Sequence, residues 1–447
     1  MVAVRASLAL ALLVVVSSAQ ATPASIFGLG PESQALAGTG TSHQGGFAAS
    51  YTNPAGLSRE PTKQLELGFG AAIFTLNTHN QSGVRDANLD DATRSLMFGL
   101  VAPLPLPSPL GDRLVLGLSV SSPGSDIARV QIANEARDQF PFLAPRADAL
   151  NFNLGLGARL PWGLRVGVGS GVLASLRGTV ALDSGASGTT ASGATASENT
   201  ASQSQTSDTA AARSVTDDEL RLSFAPVVGL SYSPNAHLDF GAVYRGQLQS
   251  RFDLLVTVDN LGQLVVPPLH VTGLAGTDPA EQNLEASYHA SVARAGEWRV
   301  VLGLTHRQWQ SVRRLRDATI QCPDTEPGCG ALPAHELDLD DTWVPRLAFA
   351  WKTMLTRGVS EELRAGYFFE PSPIASNSRK LHVYDNPRHA LSVGYALQVK
   401  KSLALRTAFA LQWHHLIGRA NASTENGEQL STGGDILSTI WSVGVDF

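Results

Sequence analysis

The chain has 447 residues, with 33 Lys and Arg against 39 Asp and Glu for a net charge of −6, and 42 glycines against three methionines. That balance excludes the basic footprint of a nucleic-acid-binding protein, so no nucleic acid is expected as a partner. Beyond the N-terminus no stretch offers the roughly 18 consecutive apolar residues that a membrane helix requires, which excludes helical spans.

The chain opens with "MVAVRASLALALLVVVSSAQA". Arg5 precedes an apolar run from Ala6 to Val16, and the stretch closes on the small-x-small pattern Ala19-Gln20-Ala21. Residues 1–21 therefore read as a secretory signal peptide cut after Ala21. Residues 22–62 follow, rich in glycine and small side chains, without strand alternation but with apolar Ile26, Phe27, Leu36 and Phe47. Irregular backbone at membrane depth is tolerated only inside protein or against water. This segment is expected to fold as a plug in the lumen of whatever the rest of the chain builds.

From residue 63 onward, apolar and polar residues alternate with period two. The segments are 63–76, 91–104, 113–122, 148–160, 163–183, 216–233, 237–258, 281–295, 297–316, 342–356, 361–371, 385–400, 402–414 and 435–447. In 237–258, Leu238, Phe240, Ala242 and Tyr244 oppose Asp239, Gly241, Arg245 and Gln247. Runs of nine or more such residues have the length of lipid-facing barrel strands, and an even count suits a single-chain bacterial barrel. Connections alternate between short turns (161–163, 233–236, 295–298, 400–402) and long polar loops (123–147, 184–215, 259–280, 317–341, 372–384, 415–434). Outer-membrane barrels place short turns in the periplasm and long loops outside. The expected fold is all-β: a 14-stranded antiparallel transmembrane β-barrel over 63–447, an N-terminal plug over 22–62, and a low-complexity external loop at 184–215. Trp162, Trp298, Trp343 and Trp441 fall near strand ends, as an interfacial aromatic girdle would.

Two cysteines, Cys322 and Cys329, share the short loop "CPDTEPGC". An even count in a secreted chain makes them a disulfide candidate, and no histidine stands nearby at zinc spacing. No metal or cofactor is expected. His414 and His415 are adjacent on a strand and point apart. The chain ends in "DILSTIWSVGVDF", where Leu437, Thr439, Trp441, Val443, Val445 and Phe447 form one face. This is the expected closing strand, and its terminal Phe447 resembles the signal read by the barrel assembly machinery.

"GLGPESQALAGTG…AASYTNPAGL" resembles the N-terminal plug of the FadL/OmpP1/TodX family of outer-membrane transporters, with Asn53-Pro54-Ala55 at that family's plug motif. "LRAGYFFEPSPIASNSRKLHVYDNPRHALSVGYAL" is similar to its strand, SPxP-like turn and Asp-x-x-Arg entry into the next strand. His43-Gln44-Gly45-Gly46 departs from the acidic residues common there. The resemblance implies a monomer in the outer membrane of a Gram-negative bacterium, embedded in outer-membrane lipid. It implies passive uptake of long-chain fatty acids or similar hydrophobic compounds, with release after plug rearrangement through a lateral gap. It also implies a ligand-binding role for Arg388.

Independently, alternation sets Arg245, Arg346, Arg364, Arg388 and Arg406 on the lumen side. A guanidinium in a low-dielectric bore can hold a carboxylate head group. It can equally pair with Glu285, Glu370, Asp239 or Asp385 to bind plug to barrel. A general porin is the alternative function, although it has no use for a plug of that length. An enzyme is not expected, because no Ser/His/Asp grouping stands out.

Overall fold

The computed structural model describes residues 23–59, 61–80, 86–107, 113–124, 140, 142–143, 150–183, 213–259, 269–292, 296–312, 319–321, 338–374, 384–400, 403–421 and 430–447. The expected signal peptide, most of the 184–215 loop and the Cys322–Cys329 pair lie outside the described residues.

One sheet contains all the strands. They are β1 (Gln64–Asn80), β2 (Asp86–Pro103), β3 (Leu114–Pro123), β4 (Asn151–Arg159), β5 (Leu164–Asp183), β6 (Arg213–Tyr232), β7 (Leu238–Arg245), β8 (Leu248–Asp259) and β9 (Leu269–Asp278). Then come β10 (Ala280–Val292), β11 (Gly296–Gln308), β12 (Thr319–Gln321), β13 (Thr342–Thr356), β14 (Val359–Glu370), β15 (Arg388–Lys400), β16 (Ala404–Asn421) and β17 (Leu430–Asp446). The first and last close the ring, with Gln64 opposite Asp446 and Asn80 opposite Leu430. Closure leaves no lipid-facing edge there, which is what the hydrocarbon layer demands of a spanning sheet. β7 with β8, β9 with β10 and β11 with β12 are single staves, the first two interrupted at Gly246-Gln247 and at Pro279, and the short β12 pairs with β9 as β11 does with β10, so the barrel has 14 staves.

The side chains follow the sequence pattern. Leu67, Leu302, Leu391 and Trp441 are each more than half exposed on the outer face, the face that meets lipid. Residues of the opposite set, among them Phe74, Val301, Ala390 and Ile440, point inward and are buried. His414 is fully buried while His415 is exposed, as alternation requires. The short turns need backbone shapes that favour glycine: Gly163 has φ +76° and Gly296 φ +90°.

Some strands depart from the expected boundaries. β9 lies inside the stretch 259–280 and β12 inside 317–341, both expected to be loops. The sequence of β9, "LHVTGLAGTD", has no unbroken apolar face, so hydropathy alternation could not find it. β1 and β16 also run several residues past the predicted ends.

The wall is not wholly antiparallel. Arg177–Asp183 of β5 pair in parallel with Asp253–Asp259 of β8. β6 pairs with β7 only up to Val227 opposite Arg245, and the Gly246 N–H then donates to the Pro226 carbonyl at 2.8 Å. Pro226 lacks an N–H, and within sheets proline is confined to edges and irregularities. Leu248 packs on Leu173 and Ala225, both lumen-facing, so β8 crosses the inner side of the β5–β6 ribbon. β4 pairs with β5 no higher than Asn151 opposite Leu173, which leaves that edge of β5 available. Two-stranded ribbons twist more than wide sheets, and this turns the edge toward β8.

Leu302→Arg puts a charge on the lipid face at mid-strand and is expected to cost about 2–4 kcal/mol of folding stability. Urea titration in lipid vesicles measures it; Ser287→Ala on the lumen side serves as the comparison.

Candidate functional site: the lumen plug and its anchors

The lumen is filled by α1 (Pro23–Phe27), α2 (Gly30–Ala35), α3 (Ala49–Thr52) and a 3-10 turn, Pro54–Ser58. Glycines cut this segment into short helices: Gly28 ends α1 at φ +84° and Gly38, at φ +74°, ends the turn after α2. Pro31 and Pro54 stand at first-turn positions, where a missing N–H costs nothing. Almost all of 24–58 is buried.

Asn53 organises the plug motif. Its backbone is extended, and its side-chain oxygen accepts from the Ala55 N–H at 3.1 Å, capping the turn. Its amide donates to the Thr41 carbonyl at 2.7 Å and to the carbonyl of Leu230 in β6 at 3.0 Å. Asn53 therefore ties two parts of the plug together and both to the wall. The wall makes room by omitting side chains. A Cβ on Gly229 would strike Asn53, and one on Gly167 would strike the Pro54–Ala55 backbone.

The strongest anchor is Glu285 on β10. One carboxylate oxygen accepts from the N–H groups of Gly40 (2.8 Å) and Thr41 (3.2 Å). The other accepts from the Ser42 N–H (2.8 Å) and hydroxyl (2.5 Å) and lies 3.2 Å from His43 Nδ1. Successive amides converging on one anion form a nest, here with the anion supplied by the wall. Arg59 adds an ion pair to Asp239 at 3.0 Å and bonds to Ser42 and Ser231. Arg159 holds the turn's end through the Ser58 carbonyl at 2.8 Å.

All five predicted arginines lie on the lumen side, in two groups. Toward the long-loop end, a belt runs Arg245–Glu281–Arg307–Glu370–Arg388 across β7, β10, β11, β14 and β15. Arg388 is 2.5 Å from Glu370, and Arg307 also donates to the Ser25 carbonyl of α1 at 2.9 Å. Arg245 lies 3.9 Å over the Tyr51 ring and donates to its carbonyl at 2.5 Å. Arg346 donates to the Ala37 carbonyl and sits 4.8 Å over Phe368. Toward the short-turn end, Arg364 pairs with Glu362 at 3.0 Å and Glu32 at 3.5 Å, and Arg406 with Asp446 at 2.9 Å. These two line a charged cavity of about 200 Å³ with Glu66, Arg299, Lys352 and Glu361.

Sequence reasoning did not single out Arg59, Glu281 or Arg307, and it met His414 only as half of a discounted metal pair. The strand residues among them sit in polar sets of alternating strands, which is the signal that could have found them. Glu285 appeared only as one possible arginine partner; its partners are in fact plug amides.

Beside the belt is an apolar cluster. Ile26 and Phe27 of α1 pack with Phe74, Leu76, Leu416 and Ile436 of the wall and with Phe140, Leu143 and Tyr384. A second cluster joins plug residues Leu29, Phe47 and Leu57 to Met97, Val101 and Val115 of β2 and β3. The plug thus meets an ion-paired wall over β7 to β15 and a largely uncharged one over β2 to β5.

The family model described as outer membrane protein transport protein (OMPP1/FadL/TodX) matches residues 8–445. Among solved structures, a FadL homologue of Pseudomonas aeruginosa aligns with TM-score 0.58 at 13% identity, over 94% of this chain and 99% of that one. The P. putida toluene transporter TodX aligns with TM-score 0.55 at 18% identity, over 94% and 99%. The CymD monoaromatic hydrocarbon channel aligns with TM-score 0.51 at 15% identity, over 94% and 98%. At these identities the likeness speaks for the fold. No curated protein matches the chain in sequence.

Glu285→Gln is expected to remove about 3 kcal/mol of protection from the amides of residues 40–42, since bonds to a charged acceptor are the strong ones. Hydrogen exchange should show faster exchange there while the barrel's own amides stay protected.

Proposed function

Because the chain belongs to the OMPP1/FadL/TodX family of outer membrane transport proteins, we propose that it carries long-chain fatty acids or similar hydrophobic compounds passively across the outer membrane. The observation that supports this reading is the juxtaposition above the plug of an apolar cluster and a guanidinium belt. A molecule with a long apolar body and a polar head finds both halves of its chemistry there. Arg388 is the head-group residue, at the point where the belt adjoins the Leu416 side of the cluster.

In this reading residues 22–62 move and residues 63–447 stay in place, and one chain suffices. Cargo displaces α1, which is tethered through Ser25 to Asp278 and Arg307. It then follows the apolar seam marked by Phe47 and Leu57. Leaving through the short-turn end would take it into the charged cavity around Glu66 and Arg406, where apolar surface gains nothing from burial. The exit is therefore sideways, through the wall into lipid. Gly167 and Gly229 leave that wall one backbone thick behind the Asn53-Pro54-Ala55 turn. On the lipid side of the same strands lies an apolar hollow of about 520 Å³, lined by Val168, Val228, Tyr244 and Leu284.

Arg388→Ala is expected to weaken oleate binding to the purified protein about tenfold, read by calorimetry; unchanged affinity removes Arg388 from the head-group site. A second experiment tests plug movement. In a Cys322→Ser, Cys329→Ser background, Phe47→Cys with Gly99→Cys should cross-link plug to β2, since Phe47 fills the space a Cβ on Gly99 would need. Oxidised proteoliposomes should stop taking up oleate and regain uptake on reduction. Full uptake in the locked state would refute a mobile plug, and large single-channel currents from the unlocked protein would favour a porin.

A further inference from the structure

Among the buried polar atoms of the lumen wall that lack hydrogen-bond partners within the described residues, two belong to neighbouring side chains. One is Arg388 Nε, the other His414 Nδ1. Both residues are buried, with relative exposures of 3% and 0%. His414 on β16 is opposite Ala390 on β15, so Arg388 is its diagonal neighbour on the same face. Such neighbours have backbones about 7–8 Å apart, within reach of long side chains.

Their hydrogen-bonding character is fixed by what surrounds them. The Gln412 amide N–H group donates to the Gln34 carbonyl at 3.4 Å, which turns its oxygen to His414 Nε2, 2.9 Å away. Nε2 must then carry the proton, and Nδ1 is a bare acceptor. Arg388 Nε is always a donor. The carboxylate demand of Arg388 is already met at Nη2 by Glu370. What is left open is one donor beside one acceptor. The Phe27 ring of α1 packs edge-on against His414 with centroids 5.6 Å apart. On the other side His414 meets Phe368, also edge-on.

We infer that this pair recognises the undissociated carboxylic acid form of the cargo. The acid's carbonyl accepts from Arg388 Nε, and its hydroxyl donates to His414 Nδ1. Its chain takes the place of Phe27 against Phe74, Leu416 and Ile436. A carboxylate has no proton to give His414 and meets Glu370 nearby. The charged groups facing His414 are Arg388 on β15, Glu370 on β14 and Arg346 on β13, and from α1 the uncharged Phe27 packs against it. This inference rests on the transport reading above and specifies the form of substrate its site accepts.

The test measures binding of palmitic acid, methyl palmitate and hexadecanol to the full-length protein between pH 4 and 8. Hexadecanol does not titrate, so its profile reports any change in the protein itself. The acid's Kd, divided by that of hexadecanol, is expected to rise about tenfold per pH unit above the carboxyl pKa, near pH 5. Below it, the acid should bind about tenfold tighter than its ester. In His414→Phe both the pH slope and the advantage over the ester should vanish while hexadecanol stays bound; Gln412→Leu, which frees the ring's tautomer, should reduce both. A flat profile, or tighter binding as pH rises, overturns the inference and leaves transport standing. Failure of all three probes to bind or to enter proteoliposomes overturns the transport reading as well.

Discussion

The lumen contents depend on one buried carboxylate. Irregular backbone inside a barrel must find partners for its N–H and C=O groups, since an unpaired buried group costs as much as several contacts return. Glu285 answers for three consecutive N–H groups and a hydroxyl at once. It does so from the middle of a strand that the ladder holds rigidly on both sides. Asn53 performs the complementary task from the plug, giving its amide to carbonyls of the plug and the wall. Between them the segment behaves as a folded body although its helices are too short to be stable alone.

The fold was legible because lipid imposes a simple rule. A spanning strand must alternate, and its outward set must be apolar, so hydropathy located every stave. β9 was missed because its sequence carries no unbroken apolar set, and the parallel seat of β8 beside β5 leaves no trace in alternation. Pro226 was a visible clue to that irregularity, since a proline has no place in the interior of a regular stave.

For the lumen the position is reversed. Alternation found which residues face inward, including Arg245, Arg346, Arg364, Arg388 and Arg406, but not their partners. Arg307 and Arg388 share Glu370 because three strands bring residues 63 and 18 positions apart into contact with it. Such pairings arise from register, which one sequence does not display. Asn53-Pro54-Ala55 was readable as a turn, while its contact with Gly229 depends on two segments 177 residues apart in the Asn53–Leu230 pairing beside it. Glycines such as Gly167 and Gly229 carry no signal in the alternation; the plug explains them as clearance.

The crossing of β8 beneath the β5–β6 ribbon bears on the order in which the molecule is assembled. A meander of staves can in principle be joined from either end, each new strand adding to a free edge. Here β8 needs the inner surface of a ribbon that precedes it in the chain, and the ribbon's edge must already have turned to receive it. Assembly is therefore constrained at this point: whichever end the barrel is joined from, the seat of β8 exists only once β5 and β6 have paired.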